Sequence, residues 1–297
     1  MPLRERSLPS GMKMSVFRER VMRREEWLRG KKKWLVVGFV PLVLVIVLVM
    51  VLIEWMLKSN ETYNLLKYCS GGRVRRGSSE IVIGNGECDG YVWSVDMSVY
   101  RGLKRLEIGG GNFENVRELR LIGLPKLRRV MIGSNSFTQH KNGFGSDPNR
   151  HFYLKNCPLL TRVGIGRYSF SDFSVCVIEN VNSLEVLEIG ELNELSFNFH
   201  SASLELSGLF GLREVMIGKE SFEECDCVVM ENMSELRSIR LGWNAMRFNV
   251  NNNDSSLIVR NLTELRSLTT VIESVVNDCF GYPHHIVLEN LPLLSTV

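Results

Sequence analysis

An Ile-Gly dipeptide, followed after two variable residues by Ser-Phe or a near equivalent, recurs along most of this chain. Its glycines are Gly84, Gly109, Gly133, Gly166, Gly190, Gly218 and, after a leucine, Gly242. They are 25, 24, 33, 24, 28 and 24 residues apart. A period in the twenties is typical of a solenoid, in which each turn buries its apolar face only against its neighbours. This architecture favours an elongated binding surface over a catalytic pocket.

A short apolar block precedes each Ile-Gly, as in Leu103-x-x-Leu106-x-Ile108. Its last positions alternate with polar residues, which is typical of a strand with one buried face. Glycine at the strand exit suits a position that must bend without a Cβ. Four residues after the glycine we predict a large apolar plug in the next face of the coil. The plugs are Phe113, Phe137, Phe170, Phe222 and Met246, with Cys88 in the first turn.

A second landmark is an asparagine or glycine that comes before each apolar block. The positions are Gly123, Asn156, Asn180, Gly208, Asn232, Asn261 and Asn290. Stacked asparagines could donate hydrogen bonds to backbone carbonyls of the neighbouring turn. Alternatively, Asn and Gly occupy these corners because they tolerate a left-handed turn. The sequence leaves both interpretations open.

The repeat resembles the leucine-rich-repeat superfamily, because Leu127 to Asn135 and Leu236 to Asn244 match its L-x-x-L-x-L-x-x-N signature. Other turns carry Tyr168, Leu192 or Glu220 where that asparagine would stand. The Ile-Gly-x-x-Ser-Phe element is similar to divergent repeats of microbial surface antigens. The Leu-Glu-Asn-Leu-Pro phrase ending at Pro292 resembles the β-helical ligand-binding domains of growth-factor receptors.

This resemblance covers about residues 81–297 and implies a mainly β repeat solenoid with turns of about 24–29 residues, the last one incomplete. It implies no particular ligand, since one repeat fold serves many partners. The last turn stops at Val297 before its own Ile-Gly element and is uncapped. This predicts either that the chain continues in a longer natural product or that the exposed strand edge self-associates.

The N-terminal part predicts a membrane anchor. Residues 1–33 form a basic tail with eleven Lys/Arg and four Glu. Residues 34–53 contain no charged side chain and are long enough to cross a hydrocarbon core of roughly 30 Å as one α-helix. Within twenty residues of this run, eight basic residues precede it and three follow it. The positive-inside rule therefore predicts a cytosolic N-terminus and extracellular or lumenal repeats.

A cleaved signal peptide is the alternative to a retained, type II signal anchor. The long basic segment, the length of the apolar run and the lack of a clear small-x-small cleavage site favour the anchor. Residues 54–80 then form a flexible stalk with several Gly and Ser. Arg73-Val-Arg75-Arg76 in this stalk resembles a proprotein-convertase site, but a solvated basic stalk is the favoured interpretation.

The chain contains seven cysteines, so at least one thiol is free if the others pair. Cys69 and Cys88 flank the first turn and are the candidate disulfide. Cys225-Asp-Cys227 has no second pair at ligand spacing, so no metal site is predicted. Neither a His pair at helical ligand spacing nor a Gly-x-Ser-x-Gly element is present. The sequence therefore predicts neither an enzyme nor a cofactor.

Four Asn-x-Ser/Thr sequons occur, at Asn60, Asn232, Asn253 and Asn261. Asn60 lies in the stalk and Asn253 in a polar run, so both are candidates for N-glycosylation. Asn232 and Asn261 occupy the repeat's asparagine corner. We expect these two side chains to be buried and to stay unmodified.

The longest turn suggests where a ligand would bind. Its excess residues lie in Thr138–Arg150, with Lys141, Phe144, Asp147 and Arg150 as candidate binding residues. Solenoid insertions map to loops on one face, often the binding face. A tolerated surface insertion is the alternative. Exposed strand positions form a second candidate surface, represented by Arg128, Arg162 and Arg213, for which a solvated charged face is the alternative.

Together these features predict a membrane-anchored, leucine-rich-repeat-like protein whose solenoid binds a protein or a glycan. A secreted or shed adhesin, or a structural coat protein without a specific ligand, are the alternatives. Outside residues 1–33, Asp and Glu outnumber Lys and Arg by four. A nucleic-acid ligand is therefore not expected.

Overall fold

The computed structural model describes residues 23, 45–53, 69, 77–88, 90, 92–271 and 278–294. The chain divides into two compact units, Met1–Asn60 and Glu61–Val297. In the first unit, residues 45–53 are helical and their side chains are exposed. Within the described part of the chain, no helix has both the length and the apolar character that a membrane crossing requires. Residues 34–44 of the predicted span lie outside the described residues.

The second unit is a parallel β-solenoid of about seven turns, built from two eight-stranded parallel sheets. The predicted apolar blocks form the first sheet, here called sheet A. Its strands are β1 (Glu80–Ile83), β3 (Arg105–Ile108), β5 (Arg129–Ile132), β7 (Arg162–Ile165), β9 (Val186–Ile189), β11 (Glu214–Ile217), β13 (Ser238–Leu241) and β15 (Ser267–Thr270). The prediction of a mainly β repeat solenoid is confirmed.

A second strand in each turn belongs to sheet B, and in every turn after the first the asparagine or glycine corner directly follows it. These strands are β2 (Ser94–Asp96), β4 (Glu118–Ile122), β6 (Asp147–Lys155), β8 (Phe173–Glu179), β10 (Ser203–Ser207), β12 (Cys227–Glu231), β14 (Ser256–Arg260) and β16 (His285–Glu289). These strands were not predicted from the sequence. Their signal was an alternation such as Leu204-x-Leu206, in which both leucines are buried.

The plug positions lie in the core between the sheets. All five predicted Phe and Met plugs, and Cys88, are at most 1% exposed, as predicted. The rings of Phe137 and Phe170 stack 4.8 Å apart, and those of Phe170 and Phe199 stack 4.9 Å apart. Phe199 was missed because its turn is longer, so it comes nine rather than four residues after Gly190. Stacked rings contribute roughly 0.5–1.5 kcal/mol per pair beyond their burial.

The repeated glycines allow consecutive turns to approach closely. A Cβ built on Gly133 would lie 2.5 Å from the backbone nitrogen of Gly110, and one on Gly166 would lie 2.7 Å from that of Ser134. Neither glycine has a positive φ. At these two positions steric contact with the preceding turn, rather than an unusual bend, therefore explains the glycine, whereas Gly190 has a φ of 73° and also adopts a left-handed conformation.

A buried polar residue precedes each phenylalanine plug and supplies hydrogen bonds at the same edge. The Oδ1 of Asn112 accepts from the Cys88 N–H at 2.8 Å, and the Oγ of Ser169 accepts from the Ser136 N–H at 3.0 Å. Ser169 also donates to the Gly133 carbonyl at 2.6 Å. Backbone N–H and C=O groups at the strand ends thus form hydrogen bonds with side chains of the neighbouring turn, as buried polar groups require.

The asparagine and glycine corners all adopt a left-handed conformation. Their φ values run from 54° to 65° at Gly123, Asn156, Asn180, Gly208, Asn232, Asn261 and Asn290. The conformational interpretation of these corners is confirmed. The last three also stack, but the Nδ2 of Asn261 donates to the Oδ1 of Asn232 at 2.9 Å, not to a carbonyl of the backbone. The side chains that donate hydrogen bonds to backbone carbonyls of a neighbouring turn are instead those of the polar residues before the plugs.

Candidate functional site

The insertion after Phe137 divides into a buried start, an exposed loop and a strand. Thr138 is fully buried. Residues 139–146 carry most of the exposed positions. Residues 147–150 extend β6 to nine residues, with a register shift between Asp147 and His151. Asp147 and Arg150 therefore belong to a strand and not to the predicted loop.

Arg150 was expected on the surface, and the structure corrects this. Its side chain is 1% exposed and its Nη1 lies 2.6 Å from a carboxylate oxygen of Asp172. Its Nη2 donates to the carbonyls of Glu114 and Val116, and its guanidinium lies over the Phe173 ring. Burial lowers the pKa of Arg150 and raises that of Asp172, and the opposite charge of each partner counteracts both shifts. Arg150 thus anchors the insertion and is not available to a ligand.

Phe144 is the exposed aromatic side chain of the loop. It is 52% exposed. Its ring stacks on the His200 imidazole with a centroid distance of 4.2 Å and an interplanar angle of 17°, and lies 5.1 Å from the Phe197 ring. Tyr168 extends this group through a 6.1 Å contact with Phe197. We call Lys141, Phe144, Tyr168, Phe197 and His200 the insertion edge.

His200, which supports Phe144, is itself fixed by charged neighbours. Its side chain is 3% exposed and its Nε2 lies 3.4 Å from a carboxylate oxygen of Glu223. The other oxygen of Glu223 lies 3.6 Å from Arg247. The ring under Phe144 is therefore held in one orientation from below.

The loop is also tied to the solenoid beside Phe144. Asn135 and Asn142 exchange two hydrogen bonds, of 3.0 Å and 2.7 Å, and Lys141 pairs with Glu114 at 3.1 Å. Asp147 accepts from the Asn149 N–H at 2.9 Å, and this hydrogen bond lowers the pKa of its carboxyl group. The insertion is thus preorganised rather than a free segment.

The other candidate residues lie along the exposed face of sheet A. Arg128 and Arg213 are exposed and directly precede β5 and β11, and Arg162 begins β7. Arg162 pairs with Glu188 at 2.6 Å and Arg213 with Glu235 at 3.4 Å. Phe144 lies in the connection that leads to sheet B. The structure therefore places the two predicted groups on separate surfaces of the solenoid.

The candidate modification sites differ in exposure. Asn253 is exposed. Asn232 and Asn261 are half-buried, so the expectation that these corners are buried is wrong, because the corner side chains stack along the outside of the coil. Asn60 lies outside the described residues. Cys69 and Cys88 form a disulfide with a Cα–Cα distance of 4.3 Å, and Cys157, Cys176, Cys225, Cys227 and Cys279 are free thiols.

In the described ranges, no three His, Cys, Asp or Glu side chains come together in a way that could hold a metal ion. Cys225 is fully buried while Cys227 is partly exposed at the start of β12, so this pair presents no shared ligand site. No protein-family model, curated protein or solved structure matches the chain. The insertion edge and the exposed face of sheet A are therefore the candidate functional surfaces of the chain.

Proposed function

We propose that this chain is a membrane-anchored recognition protein whose solenoid binds a protein or a glycan at the insertion edge. The observation that carries the proposal is Phe144, an aromatic side chain that is half exposed and yet held in place. Aromatic residues supply a large share of binding energy at recognition sites because they bury much area at little entropic cost. Lys141, which is exposed on the same loop, adds a charged contact.

The scaffold favours binding by preorganisation. Phe144 rests on His200, which Glu223 and Arg247 support, and Asn142 is bonded to Asn135. A ligand that meets this edge orders few additional side chains, which lowers the entropic cost of association. The proposed mechanism is therefore surface complementarity on a rigid repeat, without a chemical step.

We further propose a leucine-rich-repeat relationship and a type II topology. The two segments that match the repeat signature provide β5 and β13 of sheet A, which supports the relationship. The uncharged run 34–53 and the excess of basic residues before it support a cytosolic tail, a membrane span, a stalk over 54–80 and extracellular or lumenal repeats.

A binding screen tests the recognition proposal. The full chain and its Phe144→Ala variant are compared on one panel of immobilised glycans and secreted proteins. We expect a ligand that wild type retains and Phe144→Ala loses at least tenfold. Phe210→Ala is the matched control, because Phe210 is 49% exposed but lies in the turn before β11. Equal losses in both variants, or no retained ligand, would overturn the proposal.

Protease protection tests the topology. Intact cells that express a C-terminally tagged full chain are treated with protease, with and without prior removal of N-glycans. We expect an accessible, membrane-retained and glycosylated solenoid. A protected and unglycosylated tag on sealed membranes would place the repeats in the cytosol. A soluble tag in the medium would indicate the shed form.

A further inference from the structure

Charge is segregated along the solenoid. Residues 101–167 contain thirteen Lys/Arg and four Asp/Glu, a net charge of +9. Residues 168–297 contain seven Lys/Arg and nineteen Asp/Glu, a net charge of −12. The small net charge of the repeats as a whole conceals this separation. Charge asymmetry between two parts of a chain points to an interaction with a charged partner.

On sheet A the basic turns align three arginines. Arg105 pairs in register with Arg129, and Arg129 pairs in register with Arg162, on the neighbouring strands β3, β5 and β7. Adjacent strands are about 4.8 Å apart, so the three side chains form a straight column. Like charges directly opposite each other destabilise a sheet. The arrangement is therefore costly for folding unless anions lie nearby.

The acidic residues of this face neutralise it only in part. Glu107 forms a 2.6 Å ion pair with Arg105 and reaches Arg129 only at 4.0 Å. The Arg129 side chain is 51% exposed. Glu188 neutralises Arg162 at 2.6 Å.

Two further cations lie beside the column. Arg128 and Lys104 are exposed and lie next to each other in consecutive turns, since the backbone N–H of Arg128 donates to the backbone carbonyl of Lys104 at 2.8 Å. Across the part of the solenoid that the structure describes, no ion pair involves either side chain. We call Lys104, Arg105, Arg128, Arg129 and Arg162 the basic face.

We propose that the basic face binds a linear anionic glycan, a polysaccharide that carries sulfate or carboxylate groups. Guanidinium groups bind such planar or tetrahedral anions with paired, charge-assisted hydrogen bonds. A column of them on a rigid sheet offers successive sites to a chain that repeats its charge. The inference names a ligand class for the proposed binding function and rests on it, but it uses a different surface from the insertion edge.

The composition of the face favours a glycan over a protein. Among the described residues of β3, β5 and β7, none is an exposed large hydrophobic side chain. Stable protein interfaces need such apolar or aromatic anchors near their centre. An extended acidic peptide also presents side chains on one face only every 6.6–6.8 Å, roughly, which does not match the strand spacing of about 4.8 Å.

The same composition disfavours single-stranded nucleic acid. Binding of unpaired bases relies on aromatic platforms. The strands of the basic face supply none, because the alternating positions opposite their core-facing residues carry Arg, Glu, Met and Gly. A hydrophilic polysaccharide needs no such platform.

The test measures binding of the full chain to immobilised dextran sulfate, with neutral dextran as the uncharged reference. Arg128→Glu combined with Arg129→Glu is expected to weaken binding at least tenfold and to reduce its dependence on salt. Arg237→Glu combined with Arg266→Glu is the matched control. It changes the charge by the same amount in later turns of the solenoid. There the backbone N–H groups of Arg237 and Arg266 each donate to a carbonyl of the preceding turn. Circular dichroism verifies that each variant is folded.

Several outcomes would overturn the inference. These are equal weakening by the two double variants, equal retention on neutral dextran, or stronger competition by polyglutamate or duplex DNA than by dextran sulfate. Loss of dextran sulfate binding in Phe144→Ala would also overturn it, by moving the anion site to the insertion edge. A Phe144-dependent ligand that survives Arg128→Glu/Arg129→Glu would show that recognition at the insertion edge stands independently.

Discussion

The guanidinium of Arg150 donates a 2.6 Å hydrogen bond to the carboxylate of Asp172, and neither side chain is more than 2% exposed. Removing one member leaves a buried charge without its partner. We expect Arg150→Ala to lower the free energy of unfolding by about 3–5 kcal/mol. Urea denaturation of the full chain, followed by far-ultraviolet circular dichroism, measures the change.

Replacing both members of this pair together separates burial from attraction. Arg150→Met with Asp172→Leu is expected to cost less than Arg150→Ala, because no uncompensated charge remains. Lys155→Ala is the surface control, since the Lys155–Glu179 pair is about one third exposed, and it should cost less than about 1 kcal/mol. A double variant as unstable as the single one would contradict this account.

Gly133 is expected to tolerate no side chain. A Cβ there would meet backbone atoms of Gly109 and Gly110, which cannot move aside as a flexible side chain can. Gly133→Ala should therefore destabilise the protein by about 1–3 kcal/mol. Gly102→Ala is the matched control, because the nearest atom to its added Cβ is at 3.5 Å, an ordinary contact. Thermal denaturation of the two variants should separate them, and equal midpoints would refute the close-approach explanation.

Phe170 lies at the centre of the stacked plugs. It contacts Phe137 and Phe199 face to face and Phe173 edge to face. We expect Phe170→Ala to cost about 3–5 kcal/mol through lost burial and the cavity left behind. Phe210→Ala, at an exposed position, should change stability by no more than about 0.5 kcal/mol. Similar denaturation midpoints for the two variants would argue against a continuous aromatic core.

Cys279 should react slowly with alkylating reagents in the folded chain. Burial raises the pKa of its thiol to about 11, and its Sγ donates to the Gly242 carbonyl at 3.2 Å. Because the thiolate is the nucleophile, labelling by iodoacetamide should rise about tenfold per pH unit between pH 8 and 10. In urea the labelling rate should stop rising above a pH of about 8.5, which is the ordinary pKa of a cysteine thiol. Peptide mass spectrometry measures both, and equal folded and unfolded rates at pH 8 would contradict the prediction.

Asn253 should carry a glycan if the solenoid enters the secretory pathway, since its side chain is exposed in a polar loop. Asn261 should remain bare, because the Nδ2 atom that a glycan would occupy donates to Asn232. Glycopeptide mass spectrometry of the full chain, with Asn253→Gln as the control, tests both. A glycan on Asn261 would show that the hydrogen bonds between the corner asparagines do not form before modification.

Much of the architecture could be predicted from local pattern. The apolar blocks alternate as strands do, and the plug residues recur at a fixed distance from each glycine, so sheet A and most of the core followed from spacing. Sheet B was missed because the connection from each repeated glycine to the next strand varies in length: β4 begins nine residues after Gly109, whereas β10 begins thirteen residues after Gly190. Phe199 was missed because a longer turn broke the fixed distance. The membrane span over 34–53 remains a prediction.

The sequence by itself determined the period, the buried strand positions and the uneven placement of charge, because each is a property of neighbouring or counted residues. Only the tertiary structure decided that Arg150 is buried against Asp172 and that glycine serves close approach between turns. It also aligned Arg129 with Arg162, although they are 33 residues apart, because the insertion between them leaves the register of sheet A unchanged. Parallel stacking brings together residues one full turn apart, and a contact of that kind depends on how each turn closes rather than on its local composition.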